Sequence, residues 1–217
     1  MRAEGLHGEV VLIRHGQTHC TAPGRFCGAH EGVLTPVGEQ MAKLVAGHPA
    51  LAGTRAVHTS PSARTRATAA AVAAQHGLQV TVDERLRELH FGDWEDQLPA
   101  DVDQELLRRW EFDPALFSPP GGETGLTVMA RAVAAVRDAL REGGKIAVVT
   151  HKAPVRLVLS FFLGLPPSRY REIGNVSVGS LSHLRFAGDR VTLKAIGDVS
   201  HLPDEWRIAP DKAGVAA

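Results

Sequence analysis

The sequence predicts an α/β protein built on a mostly parallel sheet with helices on both faces. Runs that are apolar throughout, such as EVVLI and KIAVVT, are each followed by a helical pattern. A strand apolar on both sides needs cover on both sides, and an intervening helix returns the chain parallel to it. A closing pair, GSLSHLRF and RVTLKAIG, flanks AGD and reads as a β-hairpin.

The elements follow in order. EVVLI is a buried strand, and LTPVGEQMAKLVAGH is a helix entered through Thr35 and Pro36. RAVHTS is a short strand. SARTRATAAAVAAQHG is an Ala-rich helix closed by Gly77, a residue that accepts the left-handed conformation of a helix end. LQVTVDERLREL supplies a further strand and then a loop. After GGET, GLTVMARAVAAVRDALREGG is a helix and KIAVVT a strand. APVRLVLSFFLGL is a helix with Leu, Val and Phe at core spacing. Residues 95–124, with Pro99, Pro114, Pro119, Pro120 and the helical piece QELLRRW, read as an excursion that caps one end of the sheet.

A chain of 217 residues suits one domain, here 1–217 with that cap at about 95–124. It is 44% hydrophobic and 22% charged, as globular proteins are. Basic and acidic residues balance at 24 each, so no global field recruits nucleic acid or an anionic membrane. The N-terminus MRAEGLHGEV lacks the long apolar core of a signal peptide, and no apolar run is long enough to span a bilayer. Cys20 and Cys27 argue against a disulfide framework and are expected to be free thiols in a reducing compartment. The expected setting is the cytoplasm, and a homodimer is compatible with the sequence.

The reactive side chains gather where strands end. In open α/β sheets ligands bind beyond the carboxyl ends of the strands. Arg14, His15 and Gly16 follow EVVLI, and Arg64 follows RAVHTS. Arg85, Arg87, Glu88 and His90 follow the strand near Val82, and His151 and Lys152 follow KIAVVT. Two histidines, several arginines and a carboxylate suit a phosphate ester. Arginine forks match phosphate oxygens, and Gly16 lets backbone amides approach an anion. A histidine nucleophile must be neutral, and neighbouring Arg14 and Arg64 disfavour the imidazolium. A carboxyl can protonate the departing alkoxide and then accept a proton from water. Glu84 and Glu95 lie close enough in sequence to be alternatives to Glu88 for that task. Phe91 and Trp94 are expected to pack beneath the Glu88 loop, and Arg66, Arg85 and Arg87 to lie at the surface or in ion pairs.

LIRHGQT, SPSARTRATA, RLRELHFGDWE and VVTHKAPVR, in that order, resemble the histidine phosphatase superfamily with its phosphoglycerate mutase-like three-layer sandwich. The resemblance runs from about Val10 to the final hairpin. It implies that His15 becomes phosphohistidine, that Arg14, Arg64 and His151 complete the phosphate pocket, and that Glu88 is the general acid and base. It also implies chemistry that needs no cofactor or metal, on a small-molecule phosphate ester. The family often has asparagine seven residues after the arginine of RHG. Here Thr21 stands there, with a shorter donor. Arg25 and Gly28 fit the family pattern, with Cys27 on the same substrate-bordering loop. Lys152 replaces the usual glycine after the second histidine and could touch a further anionic group.

The implied activity is that of the phosphatase branch: hydrolysis of a phosphomonoester through phosphohistidine. A phosphoglycerate mutase-type transfer is the alternative within the same chemistry, and the excursion at 95–124 is shorter than the insertion usual in the cofactor-dependent mutases. A non-catalytic phosphoester-binding protein is the alternative of another class. A separate reading takes His19, Cys20, Cys27 and His30 as zinc ligands. The adjacent pair His19–Cys20 makes an awkward tetrahedral site, because neighbouring side chains in an extended segment diverge.

Overall fold

The computed structural model describes residues 5–21, 25–28, 32–174 and 176–207. Its sheet is organised around β1 (Leu6–Arg14), which runs parallel to β4 (Lys145–Thr150) on one side. On its other side β1 is antiparallel to β5 (Leu181–Gly188), and β5 turns back into β6 (Arg190–Asp198). β2 (Thr54–Thr59) lies parallel on β4, and β3 (Val80–Val82) parallel on β2. The order is β3-β2-β4-β1-β5-β6, so the parallel part holds β1 to β4 and the predicted hairpin forms the antiparallel edge.

The continuously apolar strands divide their side chains by the two-residue period of a strand. Val10 and Leu12 of β1, with Ile146 and Val148 of β4, face one core. Val11 and Ile13, with Ala147 and Val149, face the other. The first core is closed by α4 (Gly125–Leu140) and α5 (Lys152–Leu163). The second is closed by α1 (Pro36–Ala46) and α2 (Ala63–His76). Each fully buried Val, Leu or Ile contributes roughly 1.5–3 kcal/mol relative to exposure, and that drives both faces to be covered.

Local signals fix where these helices begin and end. The Thr35 hydroxyl accepts from Gly38 N–H at 3.0 Å, capping α1, and donates to the Gln17 side-chain oxygen at 2.9 Å. α2 stops at Gly77, whose φ of 65° is left-handed, as expected. Residues 95–124 carry one helix, α3 (Gln104–Phe112), placed between the second and third core helices of the chain. Leu107 and Trp110 of α3 bury with Trp94, Val102 and Phe26 into a small cluster of their own. The expected packing of Phe91 and Trp94 is met there, with the tilted rings of Phe91 and Phe26 5.0 Å apart between centroids.

One close approach ties the first core helix to the loop after β1. A Cβ on Gly38 would land on the Gln17 carbonyl, and one on Gly16 would land on the Gly38 carbonyl. Backbone meets backbone here, so neither residue has room for a methyl group. Gly38→Ala is therefore expected to lower stability by about 1–3 kcal/mol, the usual cost of overpacking, read as a lower urea midpoint with unchanged slope. A solvent-facing control, Glu39→Ala on the same turn, should leave the midpoint nearly unmoved.

Candidate active site

Four chain segments end at one rim. Arg14 is the last residue of β1 and pairs in register with Thr150, the last of β4. His15 and His151 follow them directly, and their rings stand edge to face 5.2 Å apart. Arg64 lies in the first turn of α2, just past β2. Glu88 follows the 3-10 turn Glu84–Leu86 that succeeds β3. Arg14, His15, Arg64 and His151 are all buried, at 5, 3, 3 and 0% exposure. Buried polar groups of this kind must be held by hydrogen bonds, and those bonds define the site.

The ring of His15 is fixed as one tautomer. Its Nδ1 lies 2.8 Å from the Gly16 carbonyl, which can only accept, so Nδ1 carries the proton. The Nε2 lone pair is then the nucleophilic one. His151 is held the other way round. Its Nδ1 accepts from Arg64 Nε at 3.3 Å, which leaves Nε2–H to donate to Ser60 Oγ at 2.9 Å. Burial, and then the positive fields of Arg64 and Arg14, push His151 well below the ordinary histidine range. It stays neutral and offers a hydrogen bond rather than a charge.

Arg14 is anchored by a 2.8 Å bond to the Val176 carbonyl, and Arg64 by a 2.9 Å bond to the Gly28 carbonyl. Gly28 is thus a neighbour of the site through its backbone, as its motif position suggested. A side chain there would strike the Leu89 carbonyl and the Glu95 carboxylate. Glu95 joins two loops: it accepts from Gly28 N–H at 3.0 Å and Phe91 N–H at 2.8 Å. Glu84 is exposed and paired with Arg87. Neither alternative carboxylate is placed as Glu88 is.

Glu88 docks on the start of α5. One oxygen accepts from Lys152 N–H at 3.1 Å, the other from Ala153 N–H at 3.2 Å and Leu89 N–H at 2.9 Å. Burial raises its proton affinity, while the Leu89 amide and the charges of Arg64 and Arg14 pull it back; the net shift is upward. A half-buried carboxyl of raised proton affinity beside two arginines can both give and take a proton. It borders a pocket of about 330 Å³ that Ser62, Gly28 and His90 also line.

Two expectations change at the loop after His15. The Thr21 hydroxyl donates to the Thr18 carbonyl at 2.9 Å and accepts from Thr18 N–H at 3.1 Å, closing a local turn instead of reaching toward the pocket. The geometry of Thr explains it, since its short side chain bonds its own backbone neighbourhood more readily than a distant anion. Cys20 and Cys27, expected as free thiols, form a disulfide, their Cα atoms 6.3 Å apart and within bridging range. The pair therefore gives no support to a reducing compartment, and its thiolates are not available as zinc ligands; His30 lies outside the described residues. Lys152, at the start of α5, contributes its backbone N–H to Glu88.

Several participants escaped the sequence reading. Ser60 orients His151, Thr68 accepts from Gly16 N–H at 3.2 Å, and Thr150 bonds the Leu86 carbonyl at 2.6 Å. Thr68 sits four residues after Arg64, on the same helix face, which is the one sequence signal that could have found it. Among the described residues no helix is long and apolar enough to cross a membrane. As a check on the electrostatics, the His151 ring nitrogens should keep neutral-tautomer shifts down to about pH 6, where an ordinary histidine is mostly protonated. A 15N titration reading imidazolium at that pH would contradict the assignment.

The sequence matches the family model of the histidine phosphatase superfamily (branch 1) over residues 10–199. The chain is 33% identical over 203 residues to a probable phosphoglycerate mutase GpmB of Serratia proteamaculans, covering 89% of this chain and 94% of that protein. It superposes on Bacillus stearothermophilus YhfR with TM-score 0.83 and 28% identity, covering 89% and 98% of the two chains. Against a mycobacterial glucosyl-3-phosphoglycerate phosphatase, solved with inorganic phosphate, the TM-score is 0.80 at 26% identity, over 90% and 100%. Motif order, site geometry and these likenesses agree, and the chain belongs to the histidine phosphatase superfamily.

Proposed function

We propose that the protein is a phosphomonoesterase that hydrolyses a small-molecule phosphate ester through a phosphohistidine, without a metal. The observation that carries the reading is a tautomer-fixed His15 at the same strand-end rim as Glu88, a half-buried carboxyl of raised proton affinity. The phosphatase name of one structural relative supports it.

The His15 Nε2 lone pair attacks phosphorus while the bond from phosphorus to the alcohol oxygen breaks, and Glu88 gives its proton to the departing alkoxide. Arg14 and Arg64 donate hydrogen bonds to the equatorial oxygens, where charge accumulates, and His151 turns its one Nε2–H from Ser60 to the same group when the ester binds. Water then attacks the phosphohistidine, Glu88 takes its proton, and the N–P bond breaks to release phosphate. Glu88 ends protonated and His15 neutral, ready for another ester. The pocket beside Glu88 would hold the alcohol portion.

A mutase reading has one specific support, the GpmB name of a relative one-third identical to this chain. It requires the phosphoryl group to return to a bound product before water reaches it. Incubation with a phosphoglycerate separates the two readings: free phosphate means hydrolysis, isomerised ester without phosphate means transfer.

Phosphate release from p-nitrophenyl phosphate is expected to persist with excess chelator and to be almost abolished by His15→Ala. Quenching turnover should trap an acid-labile phosphoenzyme. Glu88→Gln should slow turnover of alkyl phosphates by about 10²–10⁴-fold. Because the Glu88 carboxyl is shifted upward, ester cleavage should decline as pH rises through its pKa. That basic limb should vanish in Glu88→Gln. Undiminished activity in His15→Ala would sink the proposal.

A further inference from the structure

The loop that carries Glu88 is irregular, and irregular backbone leaves carbonyls that need donors. Arg131, from the second turn of α4, supplies them. Its Nη1 donates to the Arg85 carbonyl at 2.8 Å and the Arg87 carbonyl at 2.6 Å, and its Nη2 to the Glu88 carbonyl at 2.9 Å. The remaining donors go to Glu123: Nε to one carboxylate oxygen at 3.0 Å, Nη2 to the other at 2.8 Å. All N–H bonds of the guanidinium are thereby used, three on the acid loop and two on a carboxylate. Glu123 reaches the same loop itself. It accepts from His90 N–H at 3.1 Å, and its own N–H donates to the His90 carbonyl at 2.9 Å.

The two faces of Glu88 are therefore held by different helices. Its carboxylate rests on the first amides of α5, while its carbonyl and those of Arg85 and Arg87 rest on the Arg131 fork. Burial pushes Glu123 upward, but pairing with Arg131 outweighs it and keeps the carboxylate ionised. A planar fork fits such divergent acceptors. A lysine, with three donors on one point, cannot reach them together.

We propose that Arg131, locked by Glu123, is a positioning residue for Glu88 that holds the acid where it protonates the leaving group. Arg131 and Glu123 also line the pocket beside Glu88; the role proposed acts through Glu88, and the inference rests on Glu88 being that acid.

The test compares two esters on the full-length protein by kcat/KM, which reports steps up to loss of the alcohol and excludes phosphoenzyme hydrolysis. 2-Glycerol phosphate needs its alkoxide protonated; p-nitrophenyl phosphate releases an anion that is stable without a proton. Their kcat/KM ratio does not depend on the fraction of protein folded, so a destabilised variant still reports. Arg131→Lys is expected to lower the glycerol-to-nitrophenyl ratio by about tenfold or more, part of the range general acids contribute. Glu123→Gln should lower it less, in the same direction. Glu88→Gln should lower it at least as far, and adding Arg131→Lys to that variant should change it no further. Equal losses on both esters, an unchanged ratio, or a further drop in the Glu88→Gln background would overturn the role of Arg131. An unchanged ratio in Glu88→Gln alone would instead remove Glu88 as the acid, and the proposal with it.

Discussion

The site depends on the backbone pairing of β1 with β4. Arg14 stands opposite Thr150, and the ladder closes one step further with His15 N–H donating to the Thr150 carbonyl at 3.1 Å. Arg14 N–H donates to Ser180, while Gly179 N–H returns to the carbonyls of Arg14 and His15. The nucleophile is thus held by its main chain from both sides before any side-chain contact is counted. Because side chains alternate along a strand, a slip of one residue would turn Arg14 to the opposite face. The apolar alternation of Val10 to Ile13 between two cores forbids that slip. Hydrophobic burial, summed over a few strand residues, therefore sets the geometry of the chemistry.

Within that frame, two histidines of the same type acquire different tasks from their hydrogen-bond partners. A carbonyl at Nδ1 leaves His15 with its lone pair on Nε2, whereas an arginine at Nδ1 leaves His151 with its proton there. One becomes a nucleophile and the other a neutral donor. The second feature is the start of α5, which serves the site twice. His151 is its N-cap residue, and its next two amides receive Glu88. The positive end of a helix steadies a carboxylate, yet burial outweighs it and keeps the proton within reach. Phosphate pocket and acid are consequently placed by one rigid element, which suits a reaction in which both must act on the same bond.

Much of this was legible in the sequence because strands and helices leave periodic marks. The runs EVVLI and KIAVVT, the hairpin around AGD, Gly77 as a helix end and the strand-end positions of His15, Arg64, Glu88 and His151 all appear in the structure where the pattern put them. What was not legible depends on contacts between segments distant in sequence. Nothing near Arg131 announces that its fork meets carbonyls more than forty positions earlier, and Ser60 resembles any turn serine until His151 lies beside it. Thr21 occupies a motif position, but a short hydroxyl side chain answers first to its local backbone. Scarcity of cysteine is a weak guide, because two suffice for a disulfide when a loop folds back on itself.

The claim on which the account turns is that Nε2 of His15 receives the phosphoryl group. Phosphoenzyme formed by rapid quenching, with the histidine 15N-labelled, can be read by 31P–15N correlation and peptide mapping. The account predicts phosphorus bonded to Nε2 of His15 alone. Phosphorus on Nδ1 of that ring, or on His151, would contradict it.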